Sequence, residues 1–382
     1  MPALHTLYGF VAWLGWYIVP FIVIMNGIVF FHELGHYLVG RWCGVKIEAF
    51  SLGFGPELLA RVDKAGTRWR LALFPLGGYV KFLGDANPAS GQDAETLAAV
   101  DPADRTRTLS AQPVYSRAAI VAAGPAANFI LAMVLFTGLY LAFGQSFHNA
   151  RIGIVEPGSP AANAGFQVGD LVTAIDGQKI KTFQQLQQTV VLNTGIDINF
   201  DVDRKGQSLT LTAAPQVMLV DQGALGKRRI GHLGLGSTRD PADVTFERCD
   251  VPQCVGWAGG QVVFITRATL AYIGGLFAGR ESVDQMSGMV GMTQITGAIA
   301  KISFWELINL AALFSVSVGL MNLFPVPLLD GGHLMFYLIE AVTRRPVAER
   351  IQQYGMRVGI ALVGSLMIFT TVHDILRLFG RG

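Results

Sequence analysis

Two histidines four residues apart with a glutamate between them, His32-Glu33-Leu34-Gly35-His36, form the stretch of this 382-residue chain whose spacing most directly implies a reaction. On a helix, positions i and i+4 share a face, so both imidazoles can reach one Zn²⁺ at about 2.0–2.1 Å with the carboxylate beside the metal-bound water. The chemistry would be hydrolysis, with His32 and His36 as ligands and Glu33 as the general base. The alternative for so short a pattern is a helix of exposed polar residues. Its surroundings argue otherwise, because Gly9 through Phe31 carries no charge. In such a stretch each ionisable residue costs about 2.5–3.5 kcal/mol on the insertion scale. Three together need a common purpose, and a metal coordinated by neutral imidazoles supplies one.

A catalytic zinc usually takes three protein ligands and keeps one position for water. The third donor must come from elsewhere in the chain. Asn322-Leu-Phe-Pro-Val-Pro-Leu-Leu-Asp330-Gly-Gly-His333 offers two candidates, Asp330 and His333, just after prolines 325 and 327. Prolines break helical hydrogen bonding, and irregular backbone at membrane depth is tolerated where it lines an enclosed or watery cavity. The acid between two prolines and two glycines has the better-defined backbone setting, but the residues alone leave both candidates open.

The elements that must carry these groups follow from composition. Half the residues are hydrophobic (51%) and only 15% are charged, which points to a membrane protein in contact with lipid. A net charge of +2 without basic runs or basic-aromatic clusters makes nucleic acid an unlikely partner. Three cysteines exclude a disulfide-stapled scaffold. Four stretches satisfy the roughly 20 apolar residues that a crossing needs: about 9–40, 118–143, 307–339 (interrupted by Pro325, Pro327 and Asp330) and 355–372. The first has neither a basic leader nor a cleavage signature and is expected to stay as a transmembrane helix. Basic residues crowd 41–117 and 344–357, so both connections are expected in the cytoplasm and the long connection 144–306 across the membrane. Within it, 257–301 is apolar but broken by charges and glycines and reads as interfacial or re-entrant helices.

From Arg151 to Pro215, short β-branched runs (152–155, 171–175, 196–202, 208–213) alternate with turn residues around a helix at 183–192, and 230–236 could close the same module. The text from Val155 to Gly177 resembles a bacterial PDZ domain. Residues 45–84 read as a hairpin-rich sheet with runs at 46–52, 57–62, 68–74 and 79–83. An exposed edge around Gly53, Phe54 and Gly55 could pair with an unwound substrate segment; a plain cytoplasmic hairpin is the alternative. Cys249 and Cys254 flank Pro252 and could close a small disulfide loop if the compartment oxidises. Cys43, on the opposite side, is expected to remain a reduced packing residue.

Taken together, the His-Glu run, the segment from Asn322 to Gly332 and a PDZ domain between them resemble the site-2 protease family of intramembrane zinc metalloproteases, in its bacterial regulator-of-sigma-E protease form. Ser51-Leu-Gly-Phe-Gly-Pro56, Phe74-Pro-Leu-Gly-Gly-Tyr-Val-Lys-Phe-Leu-Gly84, Gly124-Pro-Ala-Ala-Asn128-Phe and Ser287-Gly-Met-Val-Gly291 extend the likeness along nearly the whole chain. The resemblance implies one Zn²⁺ per chain held by His32, His36 and Asp330, with Glu33 as base. It implies that Asn322, with Pro325 and Pro327, binds the substrate backbone. It also implies single-pass transmembrane substrates trimmed first by another protease, for example an anti-sigma factor or a signal-peptide remnant, in the bacterial inner membrane. This chain departs from the best-known member of that subgroup in having one PDZ domain instead of a tandem, Met289 where proline is expected and Ser317 where a second asparagine is expected.

The expected fold is therefore a polytopic α-helical membrane protein of about four transmembrane helices, with a membrane-associated β-hairpin region and an inserted α+β PDZ domain. Its expected segments are a first transmembrane helix (1–43), the β region (44–84), a cytoplasmic loop (85–117), a second helix (118–143), the PDZ domain (144–240), an amphipathic segment (241–306), a third helix (307–339) and a final loop and helix (340–382). Expected partners are membrane lipid, the protein substrate and a peptide or carboxyl terminus at the PDZ domain. A catalytically silent PDZ scaffold is the alternative, but it leaves Glu33 without a task. A transporter leaves the paired histidines unexplained.

Overall fold

The computed structural model describes residues 2–85, 99–221, 227–238, 240–278 and 288–378. Parts of the expected segments 85–117, 144–240, 241–306 and 340–382, with Arg280, Glu281, Asp284 and Ser287 among them, lie outside the described residues. The chain divides into two compact units, residues 1–135 with 288–382 and residues 136–287.

In chain order the elements begin with α1 (Pro2–Trp42), β1 (Ile47–Val62), β2 (Arg68–Phe82) and α2 (Val114–Phe143). The inserted unit contributes β3 (Gln145–His148), β4 (Ile152–Val155), α3 (Pro160–Asn163), β5 (Leu171–Ile175), β6 (Gln178–Lys179), α4 (Phe183–Leu192), β7 (Ile198–Arg204) and β8 (Gln207–Ala213). It continues through β9 (Gln216–Asp221), β10 (Lys227–His232), β11 (Leu235–Ser237), β12 (Val244–Glu247) and α5 (Val251–Phe277). The chain then forms α6 (Met289–Ile302), α7 (Phe304–Asn322), α8 (Asp330–Thr343) and α9 (Glu349–Leu378).

Four of the described helices are long and apolar enough to cross a membrane, over Gly15–Trp42, Val114–Phe143, Phe304–Asn322 and Arg350–Leu376. The stretch 307–339 is not one helix. Pro325 and Pro327 carry no N–H, so α7 ends at Asn322 and α8 starts afresh at Asp330. Met289 opens α6, a position proline would also tolerate because the first helical N–H has no intrahelical partner. Ser317 turns its hydroxyl back to the Leu313 carbonyl of its own helix (3.0 Å).

Strands β1 and β2 both bend back on themselves. The first half of β1 pairs with both halves of β2, since Ala49 faces Lys81 and Arg68, while Val62 faces Arg68 alone. The result is a small mixed sheet in the order 57–62, 68–72, 47–52, 78–82, antiparallel at both outer pairs and parallel in register between 49–52 and 68–71. Gly53, Gly55 and Gly77 have φ of +85°, +87° and +122°, and so supply the bends that side-chain-bearing residues resist.

In the inserted unit, a four-stranded sheet of order β6-β5-β7-β8 is accompanied by β4 paired with β11, β9 with β10 and β3 with β12. Alternating inward residues, among them Val172, Ile198, Phe200 and Val202, pack with Phe183, Leu186 and Val190 of α4 into one dry core. Thr182 and Gln185 form a capping box at the start of α4. The stretch 230–236 divides between two strands: its first part completes the β9–β10 hairpin and its second lies along β4. Cys249 and Cys254 are joined in a disulfide where Asp250 caps α5, and Cys43 is free.

Candidate metal centre

His32 and His36 lie one turn apart near the C-terminal end of α1, about 15 Å and about 9 Å before it ends at Trp42 by the 1.5 Å rise per residue. Both are buried. Their Nε2 atoms are 3.2 Å apart, and Asp330 Oδ2 stands 3.0 Å from His32 Nε2 and 3.5 Å from His36 Nε2. Zinc bonds of 2.0–2.1 Å in a tetrahedron require ligand atoms about 3.3 Å apart. The three separations bracket that value. Asp330 Oδ2 is also buried without a hydrogen bond of acceptable geometry, although two imidazole nitrogens lie this close. The three atoms thus converge on a common point at the spacing a metal site requires. His333, the other candidate, is not part of this cluster.

Helix α2 forms the wall of the site. Gly124 faces the donors so closely that a Cβ there would fall on His36 Nε2 and lie 2.8 Å from His32 Nε2. Gly35 lets α1 approach α2, since its Cβ would strike the Ala123 carbonyl. This contact brings the Ile120 carbonyl 2.8 Å from His36 Nδ1. A hydrogen on Nδ1 donated to that carbonyl leaves the Nε2 lone pair free for a metal.

Glu33 turns toward the sheet and accepts a hydrogen bond from the Val80 backbone N–H. Gly78 makes room for it, because a Cβ there would come 2.9 Å from Val29 Cγ1 and 3.3 Å from Glu33 Cγ. Residues 78–82 pair with β1 along one side. On the other side the Val80 N–H serves Glu33, and two residues on, the Phe82 N–H is taken by Asp85 Oδ2 at 3.2 Å. Backbone donors repeat with period two along a strand, so the Gly78 N–H points the same way, to a strand edge that pairs with no other among the described residues. Burial pushes the Asp85 carboxyl up to about 7.

Asp330 arrives through the broken connection between α7 and α8. The chain folds so tightly over the start of α8 that a Cβ on Gly331 would meet the Phe324 and Leu323 carbonyls, and one on Gly332 would lie 2.7 Å from Pro327 Cα. Leu328 adopts φ of +119°, strained for a residue with a side chain. From the far side, Gly359 of α9 packs directly on the Pro327 carbonyl. One helix length away, Arg117 of α2 pairs with Glu340 of α8 at 2.6 Å and lies over the Tyr337 ring. The helix that delivers Asp330 is therefore held at both ends.

Of the other residues singled out by sequence, Gly53, Phe54 and Gly55 lie at the bend of β1. Phe54 stacks on Tyr79 (6.0 Å between centroids), and its ring fills the space where a Gly77 Cβ would stand. The bend thus covers the strand next to Glu33. Asn322, at the end of α7, donates to the Val318 carbonyl (3.1 Å), and Pro325 and Pro327 lie in the connection that follows. Sequence reasoning did not assign roles to Gly124, Val80 or Asn128. Gly124 and Val80 give no residue-level signal, whereas Asn128 is the one carboxamide in an otherwise apolar span.

Comparison with known proteins agrees with this geometry. Residues 20–366 match the model of Peptidase family M50, and the chain belongs to that family. A protein of Agrobacterium fabrum that bears the name of a zinc metalloprotease is 41% identical over 377 residues, covering 99% of this chain and 100% of its own. Metalloprotease MmpA of Caulobacter vibrioides is 37% identical over 386 residues, covering 94% and 95%. The PDZ domain of an SdrC-like protein from Listeria monocytogenes aligns with 24% of this chain and 88% of its own at 17% identity, with a TM-score of 0.20. The protein is accordingly a membrane zinc metalloprotease.

Proposed function

We propose that this chain is an intramembrane zinc endopeptidase that hydrolyses peptide bonds within the transmembrane segments of single-pass proteins, with His32, His36 and Asp330 as the metal ligands and Glu33 as the general base. The observation that carries the reading is the convergence of three donor atoms from α1 and α8 beside Glu33 and an open strand edge. When bound there, zinc supplies a Lewis acid that acidifies water and polarises the scissile carbonyl. Glu33, one residue from His32, is placed to take the proton of the attacking water and pass it to the leaving amine.

A transmembrane helix hides its carbonyls in its own hydrogen bonds, so it must unwind and find new backbone partners before it can be cut. The edge at residues 78–80 lies against Glu33 and can take an extended segment as an added strand, with the bend at Gly53, Phe54 and Gly55 as its outer wall. Asn322, Pro325 and Pro327 form the opposite side of the substrate path in this reading. In this reading the chain sits in a bacterial inner membrane, and the basic connections support an orientation with the active site toward the cytoplasm and the PDZ-type module in the periplasm. There the module acts as a filter against substrates with bulky outer domains. Removal of residues 151–215 should then allow untrimmed substrates to be cut, whereas a recruiting module would make cleavage fall.

The decisive test is cleavage of a single-pass substrate by purified Glu33→Gln protein. It should bind zinc as the parent does and lose activity by about 10²- to 10⁴-fold, the usual contribution of a general base. Parental turnover by this variant would refute the assignment.

A further inference from the structure

The two histidines of the centre are held differently. His36 has a carbonyl, that of Ile120, 2.8 Å from Nδ1, so its tautomer is set for metal binding. His32 has instead a carboxamide: Asn128 Nδ2 stands 3.2 Å from His32 Nδ1. The Asn128 side chain is fully buried, and its Oδ1 has no hydrogen-bond partner among the described residues. An unpartnered buried carbonyl oxygen costs about 1–3 kcal/mol, so its presence beside a histidine demands a reason.

The chemistry of the ring supplies it. If His32 Nε2 is to give its lone pair to a metal, Nδ1 must carry the hydrogen and needs an acceptor. An amide nitrogen cannot accept, but the two ends of a carboxamide exchange places by a half-turn about Cβ–Cγ. That half-turn sets Oδ1 where Nδ2 stands, in reach of the Nδ1 hydrogen. The rest of the residue is fixed for the task. Its backbone carbonyl accepts from Ser315 Oγ of α7 at 2.8 Å, and a Cβ on Gly319 would come within 3.1 Å of the Asn128 Cβ, so α7 packs directly against this residue.

We propose that Asn128 is a positioning residue for the metal centre: with zinc bound it presents Oδ1 to His32 Nδ1–H, setting the tautomer and ring orientation of that ligand as the Ile120 carbonyl does for His36. This inference rests on the assignment of His32, His36 and Asp330 as ligands. It goes beyond that assignment by making the polar contact between α1 and α2 part of zinc affinity, and Ser315 and Gly319 of α7 its support.

The test is the zinc dissociation constant of the purified full-length chain, measured by competition with a chromogenic chelator and independent of any substrate. Asn128→Leu keeps the volume and removes the acceptor, and should weaken zinc binding about ten- to a hundredfold, the usual cost of losing such a partner. Asn128→Asp keeps an acceptor in the same place and should stay within about threefold of the parent. A residue that merely fills space predicts the reverse order, because leucine would pack and a buried carboxylate would disrupt. Parental affinity in Asn128→Leu, or equal weakening by leucine and aspartate, overturns the proposal. Should the leucine variant not fold, Asn128→Ala against Asn128→Asp makes the same distinction. Asp330→Ala is run alongside: if it keeps zinc, the ligand assignment fails, whereas loss of zinc there with an unaffected Asn128→Leu sinks only the role of Asn128.

Discussion

Both units of this molecule bury apolar clusters, but they differ in how many polar side chains they bury beside them. The inserted unit hides Ile152, Phe166, Val172, Ile198, Phe200 and Val202 and turns most charged and amide side chains outward, Asp170, buried against Arg204, being an exception. The other unit buries His32, His36, Ser51, Asp85, Asn128, Ser315 and Asp374, while Val23, Leu38, Ile130, Val134 and Leu362 stand exposed on its helices. Transfer of apolar side chains from water into a dry core is what stabilises the first. Lipid surrounding the second is as apolar as leucine, so association there depends on close backbone approach and on polar contacts between helices. Gly35 against Ala123, Gly319 against Asn128 and Gly297 against Tyr17 provide the approach. The histidines, Asn128 and the Arg117–Glu340 pair provide the contacts. A metal centre is thus the extreme case of how this unit is assembled, and single substitutions should fail in different ways in the two units.

The largest effect is expected for Asp330→Ala. Removing one of three converging donors should lower zinc affinity by more than the roughly ten- to hundredfold that loss of an outer-sphere partner costs, and abolish cleavage; metal analysis of the purified variant checks it. Near-stoichiometric zinc in that variant would mean that the site does not depend on two helices meeting. Next comes Gly124→Val, which puts methyl groups where the imidazole nitrogens stand. It should reduce zinc content at least tenfold without touching any donor, a loss comparable to that of an outer-sphere partner. The same exchange at Gly138 of α2, where a Cβ meets nothing within 4 Å, should leave zinc unchanged.

In the inserted unit the measured quantity is stability. Phe200→Ala should cost about 3–5 kcal/mol by leaving a cavity in a dry core. Zinc content should not change, and denaturant melts followed alongside metal analysis would show whether the two responses separate. If zinc is lost together with that fold, the units are not energetically distinct.

The effect spread most thinly over conditions concerns Asp85, whose carboxyl burial pushes up to about 7 from 3.8. The unfolded chain releases this proton near pH 4, the folded chain only near pH 7. Between those values the unfolded state binds fewer protons, so stability falls as pH rises, by at most about 1.4 kcal/mol per unit. Asp85→Asn keeps an acceptor for the Phe82 N–H and should flatten the thermal-stability profile between pH 4 and 7. A parent profile already flat in that window would show that the carboxyl titrates normally.

Much of this molecule is legible in its residues because the governing patterns are local. Helix α4 and strands β4 and β5 follow from β-branched runs, turn residues and a capping box, and the four apolar stretches from bilayer thickness alone. His32, Glu33 and His36 are legible for the same reason, since 3.6 residues per turn brings i and i+4 together before any tertiary contact exists. The third donor is another matter. Asp330 lies almost 300 residues away, and no local rule separates it from His333. What separates them is the fold of residues 323–329 over Gly331 and Gly332, held by Gly359 of another helix, which aims one side chain at the histidines and not the other. The glycine that leaves room for a metal and the asparagine that faces His32 belong to the same category. Their roles depend on which backbone comes within van der Waals distance of which, and distances between chain segments are set by packing, not by sequence separation.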